Sequence, residues 1–376
     1  MQVSKISLKN SVDIEFIAEF LGAHTRRAYL VGGCVRDMLL GRQITDFDIE
    51  IYDINPQKFD SLMQKLGASG FGKSFFVYKF KNYDLALART ENKVAAGHRG
   101  FEVQVCNDER LGARRRDFTI NSMMINIFND EFLDFYGGLS DLKARILRHI
   151  DDESFSEDPL RVLRGVHFVA RFNLKIAPQS LEFMRKMPTN EISRDRINAE
   201  LYKFFKAENL MLGFRALQDL NLEQSVFFTD TRCSDKRELF LKMLENSRKF
   251  IKNEGLFLYL YLNFFSIDKQ AFFKKTGLKK ELLNAAKQAF FENEISDFEM
   301  AKIALEIPLC EWLGLWDEKR RERAENLGIY DKKLKPNIDT AVLERQGLQG
   351  KALGEGINEL KIQWLKDYIN SIFKRC

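Results

Sequence analysis

YLVGGCVRDMLLGRQITDFDIE, residues 29–50, is the stretch whose reading decides the fold. It opens apolar, turns on Gly32-Gly33 and runs into the pair Arg36-Asp37. An apolar segment, Met38-Leu39-Leu40, leads to Gly41-Arg42, and the stretch closes on Asp46-x-Asp48. A short strand, a glycine turn, a helix and a second strand fit that pattern. Residues two apart on a strand share a face, so a strand over 47–52 places Asp46 and Asp48 side by side at its leading edge. Two such carboxylates repel unless a cation lies between them, and oxygen-only ligands suit Mg²⁺. Glycines upstream let backbone amides approach an anion closely. Together these features describe a site for a metal and a nucleotide.

LVGGCVRDMLLGR followed by DFDIE resembles the head motif of class II tRNA nucleotidyltransferases and bacterial poly(A) polymerases, within the DNA polymerase β superfamily. The resemblance implies an α/β nucleotidyltransferase head with a mixed sheet, followed by an all-α neck, body and tail. It implies residues 1–150 as head, 151–205 as neck with base-reading residues, 206–300 as body and 301–376 as tail.

Composition sets wider bounds. The chain has 376 residues and a net charge of +5, which suits two or three domains and permits a nucleic-acid partner without demanding one. Its five cysteines are scattered, with no CxxC pair, which argues against a zinc knuckle or a disulfide framework and suits a reducing cytosol. MQVSKISLKN lacks the apolar run of a signal peptide, and windows such as Leu256–Phe265 are too short to span a membrane, so a cytoplasmic location is expected. The many phenylalanines of the C-terminal half are expected in helix-packing cores.

Outward from the decisive stretch, residues 12–22 read as an amphipathic helix ending at Gly22, and 55–68 as a second helix. Lys73–Lys81 and Tyr83–Arg89 read as strands joined by a tight Lys-Asn turn. Asp84 heads the second of these. It is a candidate third carboxylate for the site, against the equal alternative of a solvated edge-strand carboxylate. Residues 90–113 are polar and broken by glycines, and read as a loop that moves, with a short strand at Phe101–Val105. His98 within it has no His or Cys near it and is a poor metal ligand.

Arg114–Asn121, RRRDFTIN, then leads into SMMINIF. The pattern predicts guanidinium groups beside a buried helix, able to fork onto phosphate or ribose oxygens. RRDFTIN resembles the family's second motif, which implies nucleotide contacts for Arg115, Arg116, Asp117 and Asn121. With Gly32, Gly33 and Arg36 under and beside the phosphates, and Asp158, Arg161 and Arg164 on the next helix, these complete the candidate nucleotide-binding set. DFYGGLSDL, residues 134–142, resembles the family's closing turn and reads as structural.

Beyond Ile150 helical periodicity takes over. Leu160, Leu163, Val166, Val169 and Phe172 mark a buried stripe, with Pro159 in a first helical turn. Asp158 and Arg161, three apart, are surface neighbours. Cytosine and adenine both present an amino donor beside a ring-nitrogen acceptor; guanine and uracil present the reverse. A carboxylate only accepts and a guanidinium only donates, so an Asp–Arg pair accepts C and A. The alternative for this pair is an intrahelical salt bridge worth about 0.3–0.5 kcal/mol. Glu191–Leu201 reads as a further helix and resembles the family's next neck motif. Residues 206–376 read as helical, with basic runs at Glu318–Arg323 and Asp331–Lys335 that read as solvated faces. Gln346–Ile357 is glycine-rich and resembles the family's tail segment.

The resemblance is strongest over 28–201. His167 departs from it, standing where relatives commonly carry arginine. Some relatives append a metal-dependent phosphohydrolase built on an adjacent His-Asp pair, and His24, His98, His149 and His167 supply none. The activity implied is template-independent CCA addition to tRNA 3′ ends from CTP and ATP, with Asp46 and Asp48 holding Mg²⁺ and Asp84 as the third catalytic carboxylate. The implied partner is the acceptor arm and 3′ end of tRNA. Alternatives are a poly(A) polymerase, a CC-only or A-only enzyme, or an inert RNA-binding protein on the same scaffold.

Overall fold

The computed structural model describes residues 4–5, 14–70, 76–93, 101–345 and 347–373. It divides into two compact units, Met1–Ser193 with Asp219–Asn221, and Arg194–Gln218 with Leu222–Cys376.

The first unit runs β1 (Ser4–Lys5), α1 (Glu15–Gly22), β2 (Ala28–Val31), α2 (Gly33–Leu39), β3 (Phe47–Ile51), α3 (Pro56–Leu66), β4 (Ser69–Gly70), β5 (Val77–Phe80) and β6 (Tyr83–Leu87). It continues with β7 (Arg89–Lys93), β8 (Phe101–Val105), α4 (Glu109–Arg114), β9 (Met124–Asn126), β10 (Glu131–Leu133) and α5 (Gly138–Ala144). It closes with β11 (Ile146–Leu147), α6 (Asp152–Ser156), α7 (Leu160–Phe172), β12 (Lys175–Ile176) and α8 (Pro178–Met184).

Among the described residues, eight strands form one mixed sheet in the order β1-β10-β9-β2-β3-β6-β5-β4. The central strand β2 is buried along its whole length, and β3 is buried everywhere except Asp48. Pairs in this sheet are antiparallel except β3 with β6, which run parallel with Asp48 opposite Asp84. The decisive stretch therefore forms the strand, glycine turn, helix and strand that its pattern predicts. The helices read at 12–22 and 55–68 are α1 and α3, with residues 12–13 outside the described set. Asn55 caps α3 by accepting from the Lys58 amide at 2.8 Å, and Pro56 opens the first turn.

Three expectations are corrected. The short strand expected at Phe101–Val105 is β8, but the rest of 90–113 is not one loop: β8 pairs antiparallel with β7, and Asp108 caps α4 by accepting from the amides of Arg110 and Leu111. Residues 94–100, His98 included, and 73–75 of the predicted strand lie outside the described residues. SMMINIF holds the interior strand β9, not a helix. An apolar run buried on both faces carries no period to tell strand from helix. The predicted helix at Glu191 starts at Arg194, after a 3-10 turn at Thr189–Glu191.

The second unit is helical, as expected. Its phenylalanines do build the core: Phe257, on the buried helix Leu256–Phe264, meets Phe204, Phe205, Phe214, Phe227 and Tyr261 with ring centroids 5.0–5.6 Å apart. Phe257→Ala is expected to cost about 3–5 kcal/mol of stability, read in a denaturant melt. The basic run 318–323 is not a solvated face throughout. Arg320 is buried, donates to the carbonyls of Gly314, Phe291 and Asn293, and lies over the Trp316 ring. Asp331–Lys335 is not helical, and the glycine-rich stretch from Gly350 opens the helix Gly350–Phe373. No described helix is long and apolar enough to cross a membrane.

Candidate active site

Gly32 sits at φ 73°, ψ −133°, a backbone conformation closed to side chains, and it ends β2 and starts α2. A Cβ placed there would lie 3.3 Å from Arg116 Nη1 and 3.6 Å from Asp48 Oδ2. The glycine turn, the arginine of the second motif and the strand carboxylate thus meet at one point. Asp46, just ahead of β3, is 70% exposed, and Lys79 on β5 reaches its Oδ1 at 3.3 Å and Asp84 Oδ1 at 3.1 Å. Although Asp48 is exposed on β3, the protein packed around its carboxyl pushes it up; Arg116 and Lys79 oppose this, and Asp84 and Asp46 add to it.

These carboxylates fit a divalent ion. The donor set is oxygen only, and the Lys79 ammonium shows that two of the acids already gather a positive charge. Among the described residues no group of three or more His, Cys, Asp or Glu stands close enough to hold an ion alone.

The second motif forms the wall behind the turn. Arg115 and Arg116 both donate through Nη2 to Glu50 Oε2, at 2.8 and 2.6 Å. Burial of Glu50 would raise its carboxyl, but the two guanidiniums and the Tyr52 hydroxyl outweigh it and hold it at about 2. Sequence reasoning missed Glu50. Its signal was the period-two series Asp46, Asp48, Glu50.

Asp117 is buried. It accepts from Arg164 Nε on Oδ2 at 2.7 Å, and from Asn121 Nδ2 and the Phe118 amide on Oδ1 at 2.8 Å. Burial pushes its carboxyl up, and Arg164 and Asn121 overcome this and hold it below the ordinary range. A depressed carboxyl contributes stability that is present above the unfolded-state value and is lost as pH falls through the folded-state value. Asp117→Asn is therefore expected to lower the melting temperature at neutral pH and to flatten its fall below the ordinary carboxylate range.

Arg36, which the sequence places beside the phosphates, is 3% exposed, and its Nη2 lies 3.4 Å from where a Cβ on Gly33 would stand. It bonds Asp37 at 2.9 Å and Asn121 Oδ1 at 2.5 Å, and lies over the Phe172 ring at 4.2 Å. Once charge and aromatic partners are supplied from within, the guanidinium acts as a strut between α2, the 119–121 turn and α7. Gly33, the first residue of α2, follows the turn directly.

Asp158 and Arg161 both stand at the start of α7. Asp158 precedes the helix and accepts from the Leu160 amide at 3.1 Å. Arg161 donates to the carbonyls of Ser154 at 2.6 Å and Arg115 at 2.8 Å. Both side chains are partly exposed, and Arg161 ties α7 to the arginine motif. His167 is buried on the same helix against Phe168. DFYGGLSDL is structural: Asp134 accepts from the amides of Gly138 and Leu139, and Asp141 from Thr119 Oγ1.

Residues 28–148 match the family model of the poly A polymerase head domain. A multifunctional CCA protein of Nitrosospira multiformis is 39% identical over 204 residues, covering 51% of this chain and 47% of the relative. One of Nitrosomonas europaea is 43% identical over 165 residues, covering 43% and 39%. The chain spans about half the length of the curated relatives it matches. Among solved structures, a CCA-adding enzyme of Thermotoga maritima complexed with tRNA aligns at TM-score 0.69 and 21% identity, over 99% of this chain and 100% of that one. The Bacillus stearothermophilus CCA-adding enzyme in complex with CTP aligns at TM-score 0.67 and 21% identity, over 96% and 98%. At that identity the likeness is one of fold.

Proposed function

We propose that this chain, whose residues 28–148 match the poly A polymerase head domain, adds C and A to the 3′ end of tRNA without a template, using CTP and ATP and releasing pyrophosphate. The observation that carries this is the meeting of Asp48, Arg116 and the Gly32 turn at one point, with Asp84 in register beside Asp48. Names of similar proteins support the CCA reading over poly(A) synthesis.

Asp46 and Asp48 would hold the Mg²⁺, which when bound lowers the pKa of the attacking 3′-hydroxyl and offsets charge on the leaving pyrophosphate. The backbone at Gly32 leaves room for phosphate oxygens. Arg116 presents guanidinium nitrogens to them, and Asp117, Asn121 and Arg164 hold the arginine segment in place. Asp158 and Arg161 read the base edge, which requires Arg161 to exchange a carbonyl for the ring nitrogen. Catalysis of this kind is positioning and charge stabilisation. Neck, body and tail at 151–205, 206–300 and 301–376 would dock the acceptor arm in the cytoplasm.

Pyrophosphate release from CTP tests the proposal. It is expected only with both a tRNA lacking CCA and a divalent ion, and to stop on chelation. Release independent of tRNA, or undiminished by chelation, would contradict it.

A further inference from the structure

Glu50 is 1% exposed, and a carboxylate taken out of water persists only when paired. Its Oε2 takes Arg115 and Arg116, and its Oε1 takes the Tyr52 hydroxyl at 2.7 Å. The space around Oε1 is closed. A Cβ on Gly112 of α4 would come 2.6 Å from Oε1 and 2.4 Å from the Tyr52 hydroxyl, so any larger residue there would push these two groups aside.

The unused half of Arg116 then becomes informative. Its Nη2 is fixed on Glu50, while its Nη1 is the atom delivered to the Gly32 turn beside Asp48. Its Nε is buried and has no hydrogen-bond partner among the described residues. A buried donor left unsatisfied is costly unless a bound group completes it. One guanidinium is thus anchored at one end and open at the other, toward the place where phosphates would lie.

We propose that Glu50 is a positioning residue for the nucleotide: it locks Arg116, with Arg115 beside it, so that the free edge of the guanidinium meets the triphosphate at the Gly32 turn. This rests on the nucleotidyl-transfer reading and adds to it the residue that pre-organises the phosphate contact. Ordering the guanidinium before the nucleotide arrives removes that cost from binding.

The test is equilibrium binding of CTP and of ATP to the full-length protein, in Glu50→Gln, Glu50→Asp and Tyr52→Phe, with a thermal melt of each. Glu50→Gln and Glu50→Asp are expected to weaken both nucleotides by about tenfold to a hundredfold, the range for removing an outer partner of a binding group. KM for CTP and ATP should rise by the same factor, with tRNA affinity unchanged. Tyr52→Phe keeps both ion pairs and should weaken binding far less. If Glu50→Gln fails to fold because two guanidiniums lose their counter-charge, Glu50→Asp decides, since it keeps the charge but draws it back by one methylene. A lowered melting temperature with unchanged CTP and ATP affinity in the folded variant would make Glu50 a scaffold residue only and overturn the assignment. Failure of the underlying reading looks different: the wild-type protein would bind CTP and ATP without transferring either, or bind neither.

Discussion

Asp48→Ala removes nucleotide transfer, by on the order of 10³ or more, and leaves the protein at least as stable as before. The stability half follows from the electrostatics. The Asp48 carboxyl is pushed up by its enclosure and by Asp84 and Asp46, so its ionised form is disfavoured in the folded state. Deleting it relieves repulsion, as expected for a carboxylate held in place for function. Asp46→Ala, at a largely exposed position, should abolish transfer with a stability change within about 0.5 kcal/mol. Incorporation of labelled CTP beside a melting curve reads both. Appreciable metal-dependent incorporation by the double variant would remove the two aspartates from the site. Asp84→Ala separates a third catalytic carboxylate from a solvated one. Its alignment opposite Asp48 favours the former, and a loss well below tenfold would return it to the latter.

Altering Asp158 or Arg161 changes which nucleotide is used before it destroys transfer. A base that leaves buried polar groups unpaired is rejected by on the order of 10⁴ at a well-built site. Arg161→Ala should raise KM for CTP and ATP together, because it removes the donor facing both ring nitrogens. It also frees the Ser154 and Arg115 carbonyls, so some stability is lost as well. Asp158→Ala should relax discrimination against UTP and GTP, and removes the acceptor of the Leu160 amide at the start of α7, at a cost of about 1 kcal/mol. Nucleotide ratios separate recognition from these structural costs. Unaltered CTP and ATP preference over UTP and GTP in both variants would mean that the base is read elsewhere, with Asp158 and Arg161 serving only to fix the start of α7.

Much of the first unit was legible from local chemistry. Gly32-Gly33 after an apolar strand, and Asp46-x-Asp48 at the head of another, carry their own geometry, because a positive-φ turn and a period of two leave few arrangements. The helix at 55–68 announced itself through Asn55, Pro56 and Gly67. What escaped was set by long-range contacts. Met124–Asn126 lies between two strands, so its run of apolar residues had no exposed face to show its period. Arg320 reads as a surface cation and Arg36 as a phosphate ligand, yet each is buried against aromatic rings and internal acceptors that come from distant segments. Glu50 was hidden for the same reason: its partners Arg115 and Arg116 are more than sixty residues away. Charged residues in a sequence declare their charge but not their counter-charge.

The central claim is ordered addition of C, C and A to a tRNA end, and single-nucleotide incorporation tests it most directly. tRNAs ending before CCA, after C and after CC are each offered one labelled nucleotide at a time with Mg²⁺. The account predicts CTP incorporation on the first two, ATP on the third, and none with UTP or GTP. Long A tracts on any of the three, or no incorporation by protein that binds tRNA and melts cooperatively, would contradict it.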